Sequence, residues 1–314
     1  MRILRHFDEV PLALRGAVTA IGNFDGVHRG HQALIAEARR QADQRKSPLA
    51  VLAFEPQPQE YFHPDRDAFR LTPLRSKARL LAELGVDVLF ALPFDAEMAR
   101  RTPQQFALQV LGRGLGVGAV VVGRDFIFGK GRSGDLATLS YLGEMEGFAV
   151  TAFDTVEAGG EKISSTRIRT LLKEAKPQEA ARLLGHAFAI EARVEHGDAR
   201  GREMGFPTAN MHPVQVIAPA FGVYAVRVSI LDNEQVTGRH DGVANFGIRP
   251  MYRTEVPLLE THLFDFDGDL YGRYLSVELI HWLRPEAKFS GLEALVAQIG
   301  ADAARARKLL AARH

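Results

Sequence analysis

The residues best suited by type and spacing to do chemistry are His28 and His31, within the glycine-rich segment Gly22 to His31. Two imidazoles at this spacing can donate hydrogen bonds to a phosphoryl group as charge builds on it. The segment follows a β-branched run, Ala17 to Ile21, and opens a helical pattern, His31 to Arg40. A strand-to-helix turn leaves backbone N–H groups available and favours an anion. The segment therefore predicts a phosphate site.

Two other interpretations of this histidine pair remain open. An isolated pattern of this kind is more often a pair of surface or helix-capping histidines, and two imidazoles can also begin a metal site. The sequence nearby does not suggest the carboxylates and further histidines that would complete a metal site. Glycines at a strand-to-helix position are instead typical of nucleotide sites, so the context favours a nucleotide.

Two further segments carry groups that suit phosphate or a planar ring. Ile163 to Arg169 begins a helical pattern with three hydroxyls and two arginines, and arginine near the positive end of a helix is unfavourable unless an anion offsets it. The loop Val121 to Asp135 has four glycines. In it Phe126 and Phe128 could pack on a ring and nearby cations could bind phosphate. The alternative for the first segment is a simple helix cap, and the alternative for the second is a flexible exposed loop.

The second half of the chain offers oxygen donors and one carboxylate. Thr208 and Asn210 stand at alternate positions, so that in an extended chain both face the same way. A hydroxyl and an amide oxygen suit Mg²⁺, although a turn closing a hairpin is the alternative. Glu260 interrupts an apolar run, which fits a general base or, alternatively, a residue facing solvent.

The elements that must position these residues change in kind along the chain. Short β-branched runs alternate with helical patterns up to residue 184, which predicts a doubly wound α/β domain with a parallel sheet. After that, strand-like runs are separated by Gly, Pro, Asn and Asp, which predicts an antiparallel barrel. A closing helix is expected within Gly291 to Leu310. The predicted domains are therefore 1–184 and 185–314.

Composition narrows the class of protein and of partner. A chain of 314 residues is long enough for two cores. Its 39 basic and 38 acidic residues leave a net charge of +1, which does not indicate a nucleic-acid partner. The chain has no cysteine and no apolar stretch of about 20 residues. We expect a cytoplasmic protein that does not insert into membranes, and the oligomeric state stays open, a homo-oligomer included.

Five motifs follow one another in the first half: GNFDGVHRGH, FEPQP, LTPLRSK, GRDFIFGKGRSGD and ISSTRIR. This ordered set resembles the adenylyltransferase module of the bacterial bifunctional riboflavin kinase/FAD synthetase family, a Rossmann-like nucleotidyltransferase domain. The resemblance implies that His28 and His31 stabilise the transition state at the α-phosphate of ATP. It also implies a nucleotide site formed by Gly22, Asn23, Phe24, Asp125, Ser164, Thr166 and Arg169, with the flavin near Phe62 and Phe128.

Five more motifs in the second half resemble the riboflavin kinase module of the same family: GREMGFPTAN, GVYAV, GVANFGIRP, ETHLFDFDGDLYG and LRPEAKF. By this resemblance Thr208 and Asn210 position Mg-ATP, and Glu260 is the base on the 5′-hydroxyl of the ribityl chain. The implied nucleotide loop contains Gly201, Gly205, Pro207, Thr208 and Asn210. One departure is Met251, where the family usually has a threonine, and it affects a minor contact only.

Together the two resemblances imply a bifunctional enzyme of flavin cofactor synthesis. The kinase domain would phosphorylate riboflavin to FMN with ATP and Mg²⁺, and the other domain would transfer AMP from a second ATP to FMN, giving FAD and pyrophosphate. One rival is a nucleotidyltransferase for another small phosphate with a regulatory second domain, which the set of Thr208, Asn210 and Glu260 disfavours. A flavin carrier without catalysis is the other, disfavoured by phosphate motifs in both halves.

Overall fold

The computed structural model describes residues 1–65, 67–196, 205–233, 235–248 and 257–312. The chain forms two compact units, one from Met1–Arg66 and Leu74–Ser164 and the other from Asp67–Pro73 and Ser165–His314. The structural division thus falls after Ser164, earlier than the predicted boundary after Leu184. The assignment of one function to 1–184 and another to 185–314 stays a prediction.

The first unit is built on a six-stranded parallel sheet with the order β1-β4-β3-β2-β5-β6. Its strands are β1 Arg2–Leu4, β2 Val18–Ile21, β3 Leu49–Phe54, β4 Val88–Leu92, β5 Ala119–Gly123 and β6 Ala149–Phe153, and a small hairpin pairs β7 Glu157–Ala158 with β8 Glu161–Lys162. Its helices are α1 Arg29–Arg45, α2 Pro58–Phe62, α3 Leu74–Glu83, α4 Ala96–Arg100, α5 Pro103–Gln105, which continues as a π-helix over Phe106–Leu115, and α6 Leu136–Glu146.

Helices cover both faces of this sheet, and alternate residues of each strand supply the two cores. Val18, Ala20 and Val51 face the layer that contains α1 and α3, whereas Ala50 and Leu52 face the layer that contains the π-helix and α6. Burial on both faces explains why these strands read as continuous apolar runs. The predicted doubly wound domain is confirmed.

The second unit is a closed antiparallel barrel with the order β10-β13-β12-β11-β14-β9. Its strands are β9 Phe188–Glu195, β10 Ala209–Met211, β11 Gly222–Asp232, β12 Gln235–Gly247, β13 Leu258–Leu263 and β14 Tyr274–Arg284, and its helices are α7 Ser165–Lys173, α8 Pro177–Leu184 and α9 Leu292–Ala311. The predicted barrel and closing helix are confirmed. The sequence pattern does not predict β10, which has three residues, or β12, whose first half is polar and exposed.

The segment 67–73 belongs to the second unit although it lies early in the chain. Arg70 forms a parallel bridge with Val216, and its carbonyl accepts a hydrogen bond of 2.8 Å from the Ile217 N–H. The carbonyl of Phe69 accepts a hydrogen bond of 2.7 Å from Arg169 on α7. Among the helices in the described ranges, none has the length and apolar character needed to cross a bilayer.

An ion pair joins the closing helix to the barrel. Arg284 at the end of β14 donates to both carboxylate oxygens of Asp302 on α9, with distances of 2.8 to 3.2 Å. Asp302 is 5% exposed and also accepts a hydrogen bond of 3.0 Å from Gln298. A buried pair with this geometry is costly to break, because the remaining charge stays buried without compensation.

Replacing Asp302 therefore tests how α9 is held. We expect Asp302→Ala to lower the free energy of unfolding of the barrel by about 3–5 kcal/mol. The only tryptophan, Trp282, lies in β14 and reports barrel unfolding by fluorescence in urea. As the matched control, Glu174→Ala removes an exposed pair with Lys176 and should cost no more than about 1 kcal/mol. Equal effects of the two substitutions would contradict the role given to the buried pair.

Candidate active sites

The turn between β2 and α1 brings His28 and His31 together. His28 is the N-cap of α1, and its Nδ1 accepts a hydrogen bond of 3.3 Å from the His31 N–H. The two rings stack with centroids 3.6 Å apart and planes inclined by 15°. Because Nδ1 of His28 is an acceptor, a neutral His28 ring carries its proton on Nε2. The sequence-based alternative of a capping histidine thus holds for His28, and the cap itself orients the pair.

The glycine between the two histidines gives their rings the room to stack. A Cβ on Gly30 would lie 3.2 Å from Nδ1 and Cε1 of His28 and 3.9 Å from the carbonyl oxygen of Ile163. A contact of 3.2 Å is tighter than ordinary packing, so any larger residue would press on the His28 ring. Gly30 therefore supports the ring geometry at the start of α1.

His31 lies in a strongly perturbed environment. Burial, followed by the nearby His28 ring and the Lys77 ammonium, holds the pKa of His31 well below its ordinary value. Its Nδ1 is buried and has no hydrogen-bond partner among the described residues. The ring is therefore neutral at pH 7 and retains hydrogen-bonding capacity for a further group. The described part of the chain contains no cluster of three or more His, Asp or Glu residues that could hold a metal, so the metal-pair interpretation gains no support there.

The position of this turn in the sheet matches that of nucleotide sites in doubly wound folds. From β2 the chain moves to β3 and β4 on one side, and β5 then pairs with the other side of β2. Such a reversal of strand order creates a crevice at the carboxyl ends of the two strands, where ligands bind. The strands that flank the crevice are β2 and β5. They lead into the motifs GNFDGVHRGH and GRDFIFGKGRSGD, which begin at Gly22 and Gly123.

The loop after β5 is ordered by its own contacts. Phe128 and Gly134 exchange two backbone hydrogen bonds of 2.9 Å, and Lys130 and Arg132 are exposed. Asp125 is exposed and paired with Lys162 on β8, whose hydrogen bond lowers the pKa of the Asp125 carboxyl. The loop therefore keeps a defined shape while presenting its charged side chains to solvent.

The predicted phosphate-binding residues at the start of α7 are divided between the two units. Ser164 closes the first unit, next to Ile163, whereas Thr166 and Arg169 belong to the second. Arg169 makes the hydrogen bond to Phe69 described above, and its guanidinium lies 5.1 Å from the centre of the Phe69 ring. The described geometry thus brings Ser164, but not Thr166 or Arg169, into the unit that carries the histidines.

Phe62 and Phe128 lie at the two ends of one aromatic cluster. Phe62, which is 58% exposed, contacts Phe94 at 5.8 Å between ring centres. Phe94 contacts Phe54 at 5.2 Å, and Phe106 lies between Phe54 at 6.2 Å and Phe128 at 5.7 Å. Sequence reasoning did not identify the three linking rings. Their one signal was position, since Phe54 ends β3 and Phe94 follows β4 at the same edge of the sheet.

In the second unit, strand register aligns four polar residues in one row across neighbouring strands. Asn210 on β10 pairs with Glu195 on β9 and with Glu260 on β13, and Glu260 also pairs with Asn245 on β12. Residues directly opposite each other in antiparallel strands have their side chains on the same face. The structure therefore brings Asn210 and Glu260 together, and it adds Asn245, whose only signal in the sequence was its place in a motif.

Asn210 is the most buried member of this row, at 8% exposure. Its amide nitrogen donates a hydrogen bond of 3.3 Å to the carbonyl of Thr208, and its Oδ1 is buried without a hydrogen-bond partner among the described residues. A buried amide oxygen left in this state is costly unless a ligand satisfies it. This oxygen is therefore a natural ligand for a cation or for a water bound to one.

The segment that leads to Thr208 is held from β13. His262, two residues after Glu260, contacts the carbonyl oxygen of Pro207 through Nδ1 at 2.9 Å, and its ring lies 5.5 Å from that of Phe206. Thr208 itself is half-buried, and Glu260 is half-buried on the same row as Asn210. Gly205 has a positive φ of 79°. Gly201 and Met251 lie outside the described residues.

These donors fit Mg²⁺ by their chemistry. The hydroxyl of Thr208 and the amide oxygen of Asn210 are hard oxygen ligands, and Mg²⁺ takes only one or two protein ligands when ATP phosphates and water supply the others. The unsatisfied Oδ1 of Asn210 supports this fit. Neither residue adds charge, so the phosphates must supply the negative charge that the cation requires.

Comparison with known proteins gives a family match for each half of the chain. The family described as FAD synthetase matches residues 11–167, and the family described as riboflavin kinase matches residues 184–310. A bifunctional riboflavin kinase/FMN adenylyltransferase of Escherichia coli (strain K12) is 43% identical over 309 residues, which cover 98% of this chain and 97% of that protein. One of Bacillus subtilis (strain 168) with the same description is 38% identical over 91% of this chain and 90% of that protein.

A solved structure from Streptococcus pneumoniae, described as a macrolide-efflux protein, has a TM-score of 0.82 and 30% identity and covers 96% of both chains. Its likeness supports the fold found here. The matched domains, their order and the identity over nearly the whole length agree with one another. The chain therefore belongs to the family of bifunctional riboflavin kinase/FMN adenylyltransferases.

Proposed function

We propose that the turn carrying His28 and His31 transfers AMP from ATP to FMN, and that the polar row of the barrel transfers phosphate from ATP to riboflavin. The chain thus makes FMN and then FAD, the two activities of its family. The observation that carries the assignment of the first site is the stacked, capped histidine pair at a helix N-terminus beside the crevice of the sheet. The predicted division of labour between 1–184 and 185–314 is part of this proposal.

In adenylyl transfer, a phosphate oxygen of FMN attacks the α-phosphorus of ATP. The bond from that phosphorus to the oxygen bridging to the β-phosphate breaks, and pyrophosphate leaves. The histidines donate hydrogen bonds to the oxygens of the α-phosphate as negative charge builds on them. The N-terminus of α1 and the turn at Asn23 and Phe24 add backbone donors, whereas the Gly22 N–H already donates to the Leu52 carbonyl at 3.1 Å. We further propose that Ser164, Thr166 and Arg169 hold the remaining phosphates and that Asp125 helps to shape the nucleotide site.

The aromatic cluster offers a surface on which a flavin ring can pack. Phe62 offers an exposed ring at one end, and Phe128 stacks on Phe126 at 5.5 Å at the other. An isoalloxazine ring gains from offset or edge contacts with such rings. We propose that FMN lies against this cluster, with its phosphate toward the histidines.

In the kinase reaction, Glu260 accepts the proton of the riboflavin 5′-hydroxyl. That oxygen attacks the γ-phosphorus of ATP, and ADP leaves. When Mg²⁺ is bound, it neutralises phosphate charge, and Thr208 and Asn210 are the residues that would hold it. Gly201, Gly205 and Pro207 complete the nucleotide loop in this proposal. A cytoplasmic location, where ATP and Mg²⁺ are available, belongs to it as well.

The overall test is to incubate the pure full chain with riboflavin, ATP and Mg²⁺ and to separate the flavins by chromatography. We expect FMN to appear first and FAD to follow. A nucleotidyltransferase for another substrate would form neither flavin product, and a carrier would return riboflavin unchanged.

The first substitution tests the adenylyl-transfer site. We expect His31→Ala to lower FAD formation about 10²–10³-fold, the usual loss for one positioned donor, while FMN accumulates. His6→Ala is the control, because His6 is an exposed histidine of the same unit, and it should leave both rates unchanged. A parallel loss of FMN and FAD formation in His31→Ala would contradict the division between the sites.

The second substitution tests the proton acceptor. We expect Glu260→Gln to abolish FMN formation from riboflavin, because an amide cannot accept the hydroxyl proton, while FAD formation from supplied FMN continues. The control is Glu293→Gln on the exposed surface of α9, which should phosphorylate riboflavin normally. Unimpaired kinase activity in Glu260→Gln would remove Glu260 from this role.

The third substitution tests the metal site. We expect Asn210→Ala to raise the Mg²⁺ concentration for half-maximal FMN formation about tenfold, since loss of one oxygen ligand weakens binding by about 1.4 kcal/mol. The measurement is a Mg²⁺ titration of the kinase rate, with Gln235→Ala, at an exposed position, as the control. An unchanged Mg²⁺ requirement would exclude Asn210 as a ligand.

A further inference from the structure

Lys77 is a lysine in an unusual place. It lies on α3 and is completely buried. Lysine is almost never fully buried unless its charge is paired or employed, because desolvating an ammonium group is expensive. Leu81, one turn further along the helix, is also buried, so a cation occupies a position on the apolar face of this helix.

The Lys77 ammonium is tied to the turn that carries the histidines. Its Nζ donates a hydrogen bond of 2.8 Å to the backbone carbonyl of Asn23. In this turn Phe24 and Val27 have positive φ values of 49° and 41°, a region that residues other than glycine rarely occupy and that is uncommon for a β-branched side chain. Such a backbone persists only where its surroundings hold it firmly. The hydrogen bond from Lys77 is one of these restraints.

We propose that Lys77 is a positioning residue of the adenylyl-transfer reaction, which anchors the Asn23 to Val27 turn and places a positive charge near His31. This inference rests on the proposed role of His28 and His31. It gives Lys77 and the histidines different roles at the site. Lys77 supplies charge without touching substrate, and the histidines supply directed hydrogen bonds.

The lowered pKa of His31 agrees with these different roles. The groups that act on its ring are His28 at the start of α1 and Lys77 on α3, and together with burial, which is the largest cause, they hold its pKa well below the ordinary value. A neutral His31 is already in place when ATP arrives and does not have to lose a proton. Donors fixed in advance in a dry site stabilise developing charge most effectively, because they need no reorganisation during the reaction.

The experiment separates the charge of Lys77 from its tether. Lys77→Gln keeps an N–H donor for the Asn23 carbonyl but removes the charge, Lys77→Met removes both, and Lys77→Arg keeps both. Each full-length variant is assayed for FAD formation from FMN and ATP, with kcat and KM for ATP determined over a range of pH. The pKa of His31 is measured by NMR titration of its ring protons.

We expect Lys77→Met and Lys77→Gln to lower kcat for FAD formation about 10²-fold, with riboflavin phosphorylation unchanged. Removing a nearby cation favours the protonated imidazole, so the pKa of His31 rises and the acidic limb of the rate profile moves to higher pH. Lys77→Arg should recover part of the rate and leave the pKa low. Arg79→Gln, which removes a half-buried cation from the same helix, should behave as the wild type.

Two results would overturn the inference. Wild-type FAD formation in Lys77→Gln and Lys77→Met would show that the residue does not serve the reaction. A reduced rate with the pKa of His31 and the pH profile unchanged would reduce Lys77 to a structural tether. His31→Ala, assayed in parallel, distinguishes the two proposals: if it loses FAD formation while the Lys77 variants keep it, the histidine assignment stands and the Lys77 inference fails.

Discussion

Burial of the central strand on both faces is the constraint on which the first site depends. All four residues of β2 are buried, so the backbone can present polar groups only where the strand ends. The chain then turns into α1 where β2 ends, and β5 pairs with β2 on the side away from β3. A site for an anion follows from this geometry, because unsatisfied donors and the positive end of a helix dipole converge there. With a net charge of only +1, the protein must attract triphosphate through such local arrangements.

The barrel positions its polar groups in a different way. Its strands pair in antiparallel fashion, and strand register aligns its polar groups. Pairing of β10 with β9 and β13, and of β13 with β12, places one polar residue from each of four strands in one row. A shift of one residue in any of these pairings would turn Asn210 or Glu260 to the opposite face. Strand register therefore positions the residues of the proposed kinase site, as the strand-to-helix turn positions those of the proposed adenylyl-transfer site.

Both proposed sites use groups that are unsatisfied or perturbed in the folded chain. His31 keeps a buried Nδ1 and a low pKa, and Asn210 keeps a buried Oδ1, each without a hydrogen-bond partner among the described residues. Such groups cost stability, and proteins retain them most readily where a ligand or reaction uses them. The two sites thus share one physical feature although their folds differ.

The sequence by itself determined the two kinds of domain, the closing helix and the family. Apolar runs buried on both faces, helical periodicity and the change to strands separated by turn residues are local properties, so they can be read without the fold. It also singled out the histidine pair, because the spacing of His28 and His31 and the glycine between them are contiguous. The tertiary structure alone decided what lies beside these residues. Lys77 contacts the histidine turn from α3, and the linking phenylalanines meet through packing of separate elements. Asn245 lies beside Glu260 because of strand register. Each of these neighbours is distant in the chain, and only tertiary packing brings them together.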